Sequence, residues 1–117
     1  MADLLIDTDV FVDHLRGSHR LDPGPRARVS YSVITRCELF AGAKADDESV
    51  TTLLEPFAEI PVDRAIAERA GRLRRHVAIR TPDALLAATA LERRLVLVTR
   101  NRKHFASVPG LKLRLPR

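Results

Sequence analysis

Leu4-Leu5-Ile6 runs straight into the acidic turn Asp7-Thr8-Asp9. A short all-apolar run predicts a strand buried on both faces, as in a parallel sheet covered by helices. Leu95-Val96-Leu97-Val98 repeats the pattern and ends in the polar Thr99-Arg100-Asn101. In an open α/β sheet, ligands collect outside the carboxyl ends of the strands. Asp7, with Asp9 as a second candidate, is therefore expected to face a functional crevice.

Helical spacing fills the chain between these two strands. Val10, Phe11 and Leu15 predict a helix ending near Gly17, with Asp13, His14 and Arg16 facing outward. Residues 18–26, with Pro23, Gly24 and Pro25, read as a loop. Val29-Ser30-Tyr31 is a short strand, and Ser32 caps a helix running to about Gly42. Its predicted buried stripe is Val33, Ile34, Cys37 and Phe40 or Ala41. Asp46 or Asp47 starts another helix that buries Val50, Leu53 and Leu54. Ile60-Pro61-Val62 is extended, and Asp63 caps a helix with the stripe Ile66, Ala70, Leu73, Val77. Thr81 as N-cap and Pro82 at the first helical position open a helix that is apolar nearly all round, from Ala84 to Leu91. His104 and Phe105 fall in a helical turn, and Leu111 to Leu115 alternates like a half-buried edge strand. Alternating strands and helices over 117 residues predict one α/β domain, a mainly parallel central sheet flanked by helices.

Composition narrows the function. A hydrophobic fraction of 45% excludes disorder, and the single cysteine, Cys37, excludes an internal disulfide and a cysteine-based zinc site. The start Met1-Ala2-Asp3 lacks the basic opening of a secretory signal, and no apolar run reaches membrane-spanning length. A cytoplasmic location is the expectation. The net charge of +5 favours a polyanionic partner, nucleic acid by default. Two basic clusters carry it: Arg100, Arg102, Lys103, Lys112, Arg114 and Arg117 with no acid, and residues 64–80, where Glu68 is the lone acid. Aromatics are only 4%, so a grip on the phosphate backbone is expected rather than base stacking.

Three acids stand out. Asp83 opens the apolar helix; an acid in a first turn suits the helix dipole without any further role, but apolar surroundings make an unpaired carboxylate costly. Glu38 lies inside the helix after Ser32, and is alternatively a surface residue or the acid of a Thr35-x-x-Glu38 capping box. Asp7, Thr8 and Asp9 could each cap the helix that follows; for Asp9 that role is the better reading, for Asp7 it is not. Carboxylates converging on one point repel unless a cation sits between them. Hard oxygen donors without a His or Cys framework select Mg2+ or Mn2+ over zinc. Such an ion activates water and stabilises charge on a phosphoryl oxygen. With a basic rim, this describes a metal-dependent nuclease.

At this point the residues resemble a known family, the PIN-domain ribonucleases, and specifically the VapC-type toxins of prokaryotic toxin–antitoxin pairs. Four blocks carry the resemblance in order: Leu5 to Val10 with Asp13 to Gly17; Ser32 to Thr35 with Glu38 to Gly42; Pro82 to Ala90; and Leu97 to Asn101 with Phe105. They span nearly the whole chain. The resemblance implies a PIN-like fold, RNA hydrolysis with tRNA as a plausible substrate, a Mg2+ or Mn2+ site, homodimerisation and a cognate antitoxin. It maps the catalytic and metal-holding acids onto Asp7, Glu38 and Asp83, with support from Thr8, Thr99 and Asn101. Where a further acid often follows the last strand, this chain has Asn101 and then His104, so one tightly held ion is expected. Arg80, Arg100 and Arg102 are the candidates for phosphate contact. Two enzyme-like alternatives fit less well. A haloacid-dehalogenase phosphatase would use Asp7 as nucleophile, but needs later carboxylates, and no Asp or Glu follows Glu92. A receiver domain needs its acceptor aspartate at a strand end, whereas Asp83 opens a helix. A catalytically weak PIN-like module that binds RNA or protein is the non-enzymatic alternative.

Overall fold

Leu4, Leu5 and Ile6 form strand β1 (Leu4–Ile6), and each is 0% exposed. The computed structural model describes residues 3–22, 28–42 and 46–116; Pro23, Gly24 and Pro25 of the expected loop lie outside them. Helix α1 (Thr8–Leu15) follows β1 directly, then β2 (Val29–Ser32), α2 (Val33–Ala41), α3 (Asp47–Leu54) and β3 (Ala58–Ile60). The chain continues through α4 (Arg64–His76), α5 (Thr81–Arg93), β4 (Val96–Val98), α6 (Arg102–Phe105) and β5 (Leu113–Arg114). The strands form one sheet in the order β3-β2-β1-β4-β5, and every pairing is parallel.

Alternation along β1 divides the core into two layers. Leu5 joins Leu97 against α4 and α5, with Ile66, Ala70, Ala84, Ala87 and Ala88. Leu4 and Ile6 join Val98 and Tyr31 against α1, α2 and α3, with Phe11, Leu39, Val50 and Leu54. Helices on both faces explain why β1 and β4 read as unbroken apolar runs. The alanines of α5 let it lie close to the sheet and to α4. On the other face aromatics fill the space, Phe11 meeting Tyr31 and Phe57 edge to face at 6.0 and 5.7 Å between ring centres.

Strand order positions the site. From β1 the chain moves outward through β2 and β3, then returns to place β4 on the other side of β1. The seam between β1 and β4 is the topological switch point, where the loops beyond the carboxyl ends diverge and leave a crevice. In register, Ile6 lies beside Val98, and the Asp7 N–H donates to the Val98 carbonyl at 2.9 Å. Asp7 and Thr99 are thereby set side by side.

The structure corrects five sequence expectations. In α2, Thr35 and Leu39 are buried, while Cys37 is exposed and Phe40 is 39% exposed. Apolar residues occupy most positions of this helix, so its rotation was not encoded in periodicity. β3 lies at Ala58–Ile60 and stops before Pro61, which has no N–H to give to a ladder. Helix α5 begins one residue early: Arg80 is its N-cap and Thr81 makes no capping bond, the first turn closing through Ala84 N–H to the Arg80 carbonyl at 2.8 Å. Leu95 lies between α5 and β4 rather than in the strand, its N–H bonded to the Ala90 carbonyl at 2.8 Å to close the helix end, with Arg94 in the left-handed conformation at φ 56°. At the far edge, β5 is confined to Leu113–Arg114, and Leu115 is 52% exposed.

Candidate active site

Asp7 ends β1, caps α1 and is only 5% exposed. Both of its carboxylate oxygens are engaged. Oδ1 accepts the Thr8 N–H at 2.7 Å, and Oδ2 accepts the Thr99 hydroxyl at 2.8 Å. The Asn101 N–H donates to that same hydroxyl at 3.0 Å, which leaves the hydroxyl proton for Asp7. Even so, burial pushes the Asp7 pKa up to about 7, with the charges of Asp9 and then Asp83 adding to it and the Thr99 and Thr8 hydrogen bonds opposing it. The seam therefore holds a carboxylate whose negative charge is unfavourable in the protein alone.

Asp83 reaches the site from the first turn of α5. It is partly buried, and its Oδ2 lies 3.5 Å from His104 Nδ1. Beside it is a cleft of about 190 Å³, lined by Ala78, Ile79, Arg80, Asp83, Lys103 and His104. Arg80 and Arg102 are both exposed.

Glu38 comes from α2 and is exposed. Ser32 caps this helix by accepting the Ile34 N–H at 3.1 Å, so Glu38 is an interior residue of α2 and a Thr35–Glu38 capping box does not form. The Glu38 carboxylate is tied to the seam by one bond, the Thr8 hydroxyl donating to Oε1 at 2.7 Å. Thr8 thus touches both acids, Asp7 through its N–H and Glu38 through its hydroxyl.

Arg100 is placed differently from the other two arginines. Its guanidinium pairs with Asp13, and its backbone N–H donates to Asp9 Oδ2 at 3.1 Å. Asp9 and Asp13, one helical turn apart on α1, together hold the segment after β4 against that helix. Sequence reasoning turned Asp13 outward because only its own helix was in view. Burial raises the Asp9 pKa, the Arg100 N–H opposing it, and Asp9 Oδ1 is buried without a hydrogen-bond partner among the described residues.

The donor set suits a hard divalent cation. Carboxylates and hydroxyls line the seam, the Asp7 charge is disfavoured by burial and then by like charge, and a cation is the group that would relieve it. As the side chains stand, no three His, Cys, Asp or Glu among the described residues converge closely enough to hold an ion. Asp7 and Asp83 would be its nearest holders, with Glu38 reaching in from the rim.

Comparison with known proteins agrees with this architecture. The PIN domain profile matches residues 4–111. Ribonuclease VapC10 of Mycobacterium tuberculosis is 38% identical over 124 aligned positions, covering 93% of this chain and 90% of the relative. Ribonuclease VapC19 of the same organism is 35% identical, covering 92% and 96%. A toxin–antitoxin complex from Klebsiella pneumoniae contains a chain 34% identical, with TM-score 0.82 and 98% of each chain covered. The parallel sheet, the acids at its switch point and these relatives together place this chain in the PIN-domain family, among the VapC-type proteins.

Proposed function

We propose that this chain is a Mg2+- or Mn2+-dependent endoribonuclease and the toxin of a toxin–antitoxin pair, with tRNA as its expected substrate. One observation carries the reading: Asp7 is buried at the switch point with its charge opposed by Asp9 and Asp83. A structural carboxylate is normally given a cation by the fold, whereas this one is left needing a ligand. Relatives named ribonucleases over nearly the full length, and a neighbour described as a toxin–antitoxin complex, support the same reading.

Asp7, Asp83 and Glu38 would hold the ion. When bound, it supplies a Lewis acid that activates water and stabilises charge on the phosphoryl oxygens. Thr99 keeps the Asp7 carboxylate turned toward the crevice, and Thr8 keeps Glu38 facing it. The Asn101 side chain, where a fourth acid is common in the family, adds an amide but no charge, which favours one tightly held ion. Arg80 and Arg102 line the approach and offer point contacts to the RNA backbone. Arg100 contributes by fixing the Thr99–Asn101 segment, through its pair with Asp13 and its backbone N–H bond to Asp9. The antitoxin would suppress cleavage by covering this crevice, and a homodimer is the expected assembly. No helix among the described residues is long and apolar enough to cross a membrane, which fits a cytoplasmic enzyme.

Binding without cleavage is the second reading, favoured by the spread of the acids, no three of which converge among the described residues. One experiment separates the two: purified protein with total cellular RNA, in Mg2+ or Mn2+ against a chelator, beside Asp7→Asn. Metal-dependent cuts at a few sites, absent in the variant, establish the nuclease. RNA retained but uncut with either metal, by folded protein free of antitoxin, establishes the binding module.

A further inference from the structure

Thr35 has no place in the mechanism above, yet it is 0% exposed and its hydroxyl points at the site. Its Oγ1 lies 2.9 Å from Thr8 Oγ1, and Thr8 Oγ1 lies 2.7 Å from Glu38 Oε1. The direction of both bonds follows from counting protons. A hydroxyl carries one proton, and an ionised carboxylate can only accept. Thr8 must therefore spend its proton on Glu38. The bond between the two threonines then has a single donor, Thr35. The result is a directed chain, Thr35 to Thr8 to Glu38, anchored in the core at one end and ending on an exposed acid at the other.

The chain matters because nothing else described holds the Glu38 head in place. Glu38 stands on the exposed face of α2, and a glutamate there samples several rotamers. The Thr35 bond fixes the Thr8 hydroxyl so that its proton faces Glu38. Thr8 in turn is fixed by its position as first residue of α1 and by its N–H bond to Asp7. Outer partners of this kind orient the groups that hold an ion.

We propose that Thr35 is a positioning residue that sets the orientation of Glu38, and so the affinity of the site for its divalent ion, by donating to Thr8. The inference rests on the nuclease reading for its consequence, and on geometry alone for the relay.

Two substitutions separate hydrogen bonding from packing. Thr35→Val keeps the buried shape and removes the hydroxyl. Thr35→Ser keeps the hydroxyl and removes a buried methyl. Manganese affinity by titration calorimetry, RNA cleavage and melting temperature are measured for both. The expected result is a loss of about tenfold in Mn2+ affinity and in kcat for Thr35→Val, with KM for RNA unchanged. Thr35→Ser should stay within about twofold of wild type in both while melting lower, because it gives up methyl contacts. Equal Mn2+ affinity in Thr35→Val and wild type, or Thr35→Ser impaired as much as Thr35→Val, overturns the proposal. Should wild type neither bind manganese nor cleave RNA, the nuclease reading fails separately. The relay is then read from the Glu38 side-chain carboxyl carbon resonance, which shifts in Thr35→Val and not in Thr35→Ser if Thr35 acts through Thr8, and is the same in all three if it does not.

Discussion

Asp7 and Glu38 are linked through Thr8 but are held in opposite ways. Asp7 sits in the β1–β4 seam, 5% exposed, with a donor on each oxygen. Its position is set by backbone register, and the cost is electrostatic: burial and neighbouring acids push its pKa up to about 7. Glu38 sits on the rim, exposed, with a single bond among the described residues, from Thr8. Its charge is well solvated, and the cost is conformational, since a long side chain must be kept in one rotamer. The seam thus provides precision at the expense of charge stability, and the rim provides charge at the expense of order. A cation between them would offset the first cost and draw on the second.

The sharpest way to break this contrast is at Asp7. Asp7→Asn should reduce cleavage of RNA by at least about 10³-fold, equivalent to ~4 kcal/mol of barrier, in a turnover assay at saturating Mg2+. Glu38→Gln keeps the bond from Thr8 and loses the charge. Its expected loss is roughly 10²-fold, and raising the Mn2+ concentration should recover part of it, which Asp7→Asn should not allow. Equal and unrecoverable losses in both variants would mean the two acids act as one rigid unit and the contrast is wrong.

Stability against pH tests the seam alone. The Asp7 carboxyl is raised in the folded state from 3.8 to about 7, so the folded protein binds this proton more tightly than the unfolded chain. Its contribution is fully present below about pH 4 and is lost as pH rises toward 7. In metal-free buffer, denaturant unfolding should show wild type losing on the order of 2 kcal/mol relative to Asp7→Asn between pH 5 and pH 8. Glu38→Gln should show no comparable trend, and added Mg2+ should flatten the wild-type curve. A wild type that keeps pace with Asp7→Asn across that range would show that the seam tolerates the charge without a cation.

The arginines give the smallest effects. Arg80→Ala should weaken RNA binding several-fold and reduce the salt dependence by about one ion, measured by filter binding at graded ionic strength. Arg100→Ala should leave that slope unchanged and instead lower stability by about 0.5–1 kcal/mol, because its half-buried pair with Asp13 is lost. A salt slope that falls for Arg100→Ala as well would return Arg100 to the RNA contacts.

How far the chain could be read depended on the kind of information each feature needed. Asp63 as a cap is legible because the N–H it accepts lies three residues on, Ile66 at 2.9 Å. The stripe Ile66, Ala70, Leu73, Val77 is legible because charged residues surround it. Helix α2 is the counter-example. With Val33, Ile34, Cys37, Leu39, Phe40 and Ala41 all apolar, only contact with the sheet selects Thr35 and Leu39 as the inner face. The inward turn of Asp13 is illegible for a related reason: its partner Arg100 is 87 positions away, in the loop after β4.

Sequence alone determined the two buried strands, the acids and polar turns at their ends, and the Ser32 and Asp63 caps, because each follows from the order of residues within one short segment. Their assembly into a PIN-like sheet was legible through resemblance. Only the tertiary structure decided which side chains meet. Thr99 finds Asp7 across 92 positions, and Thr8 finds Thr35 and Glu38 across 27 and 30. Those meetings depend on β4 returning beside β1 and on the rotation of α2 about its axis. Neither is encoded in any local pattern, because both are set by how whole elements pack to bury their apolar faces.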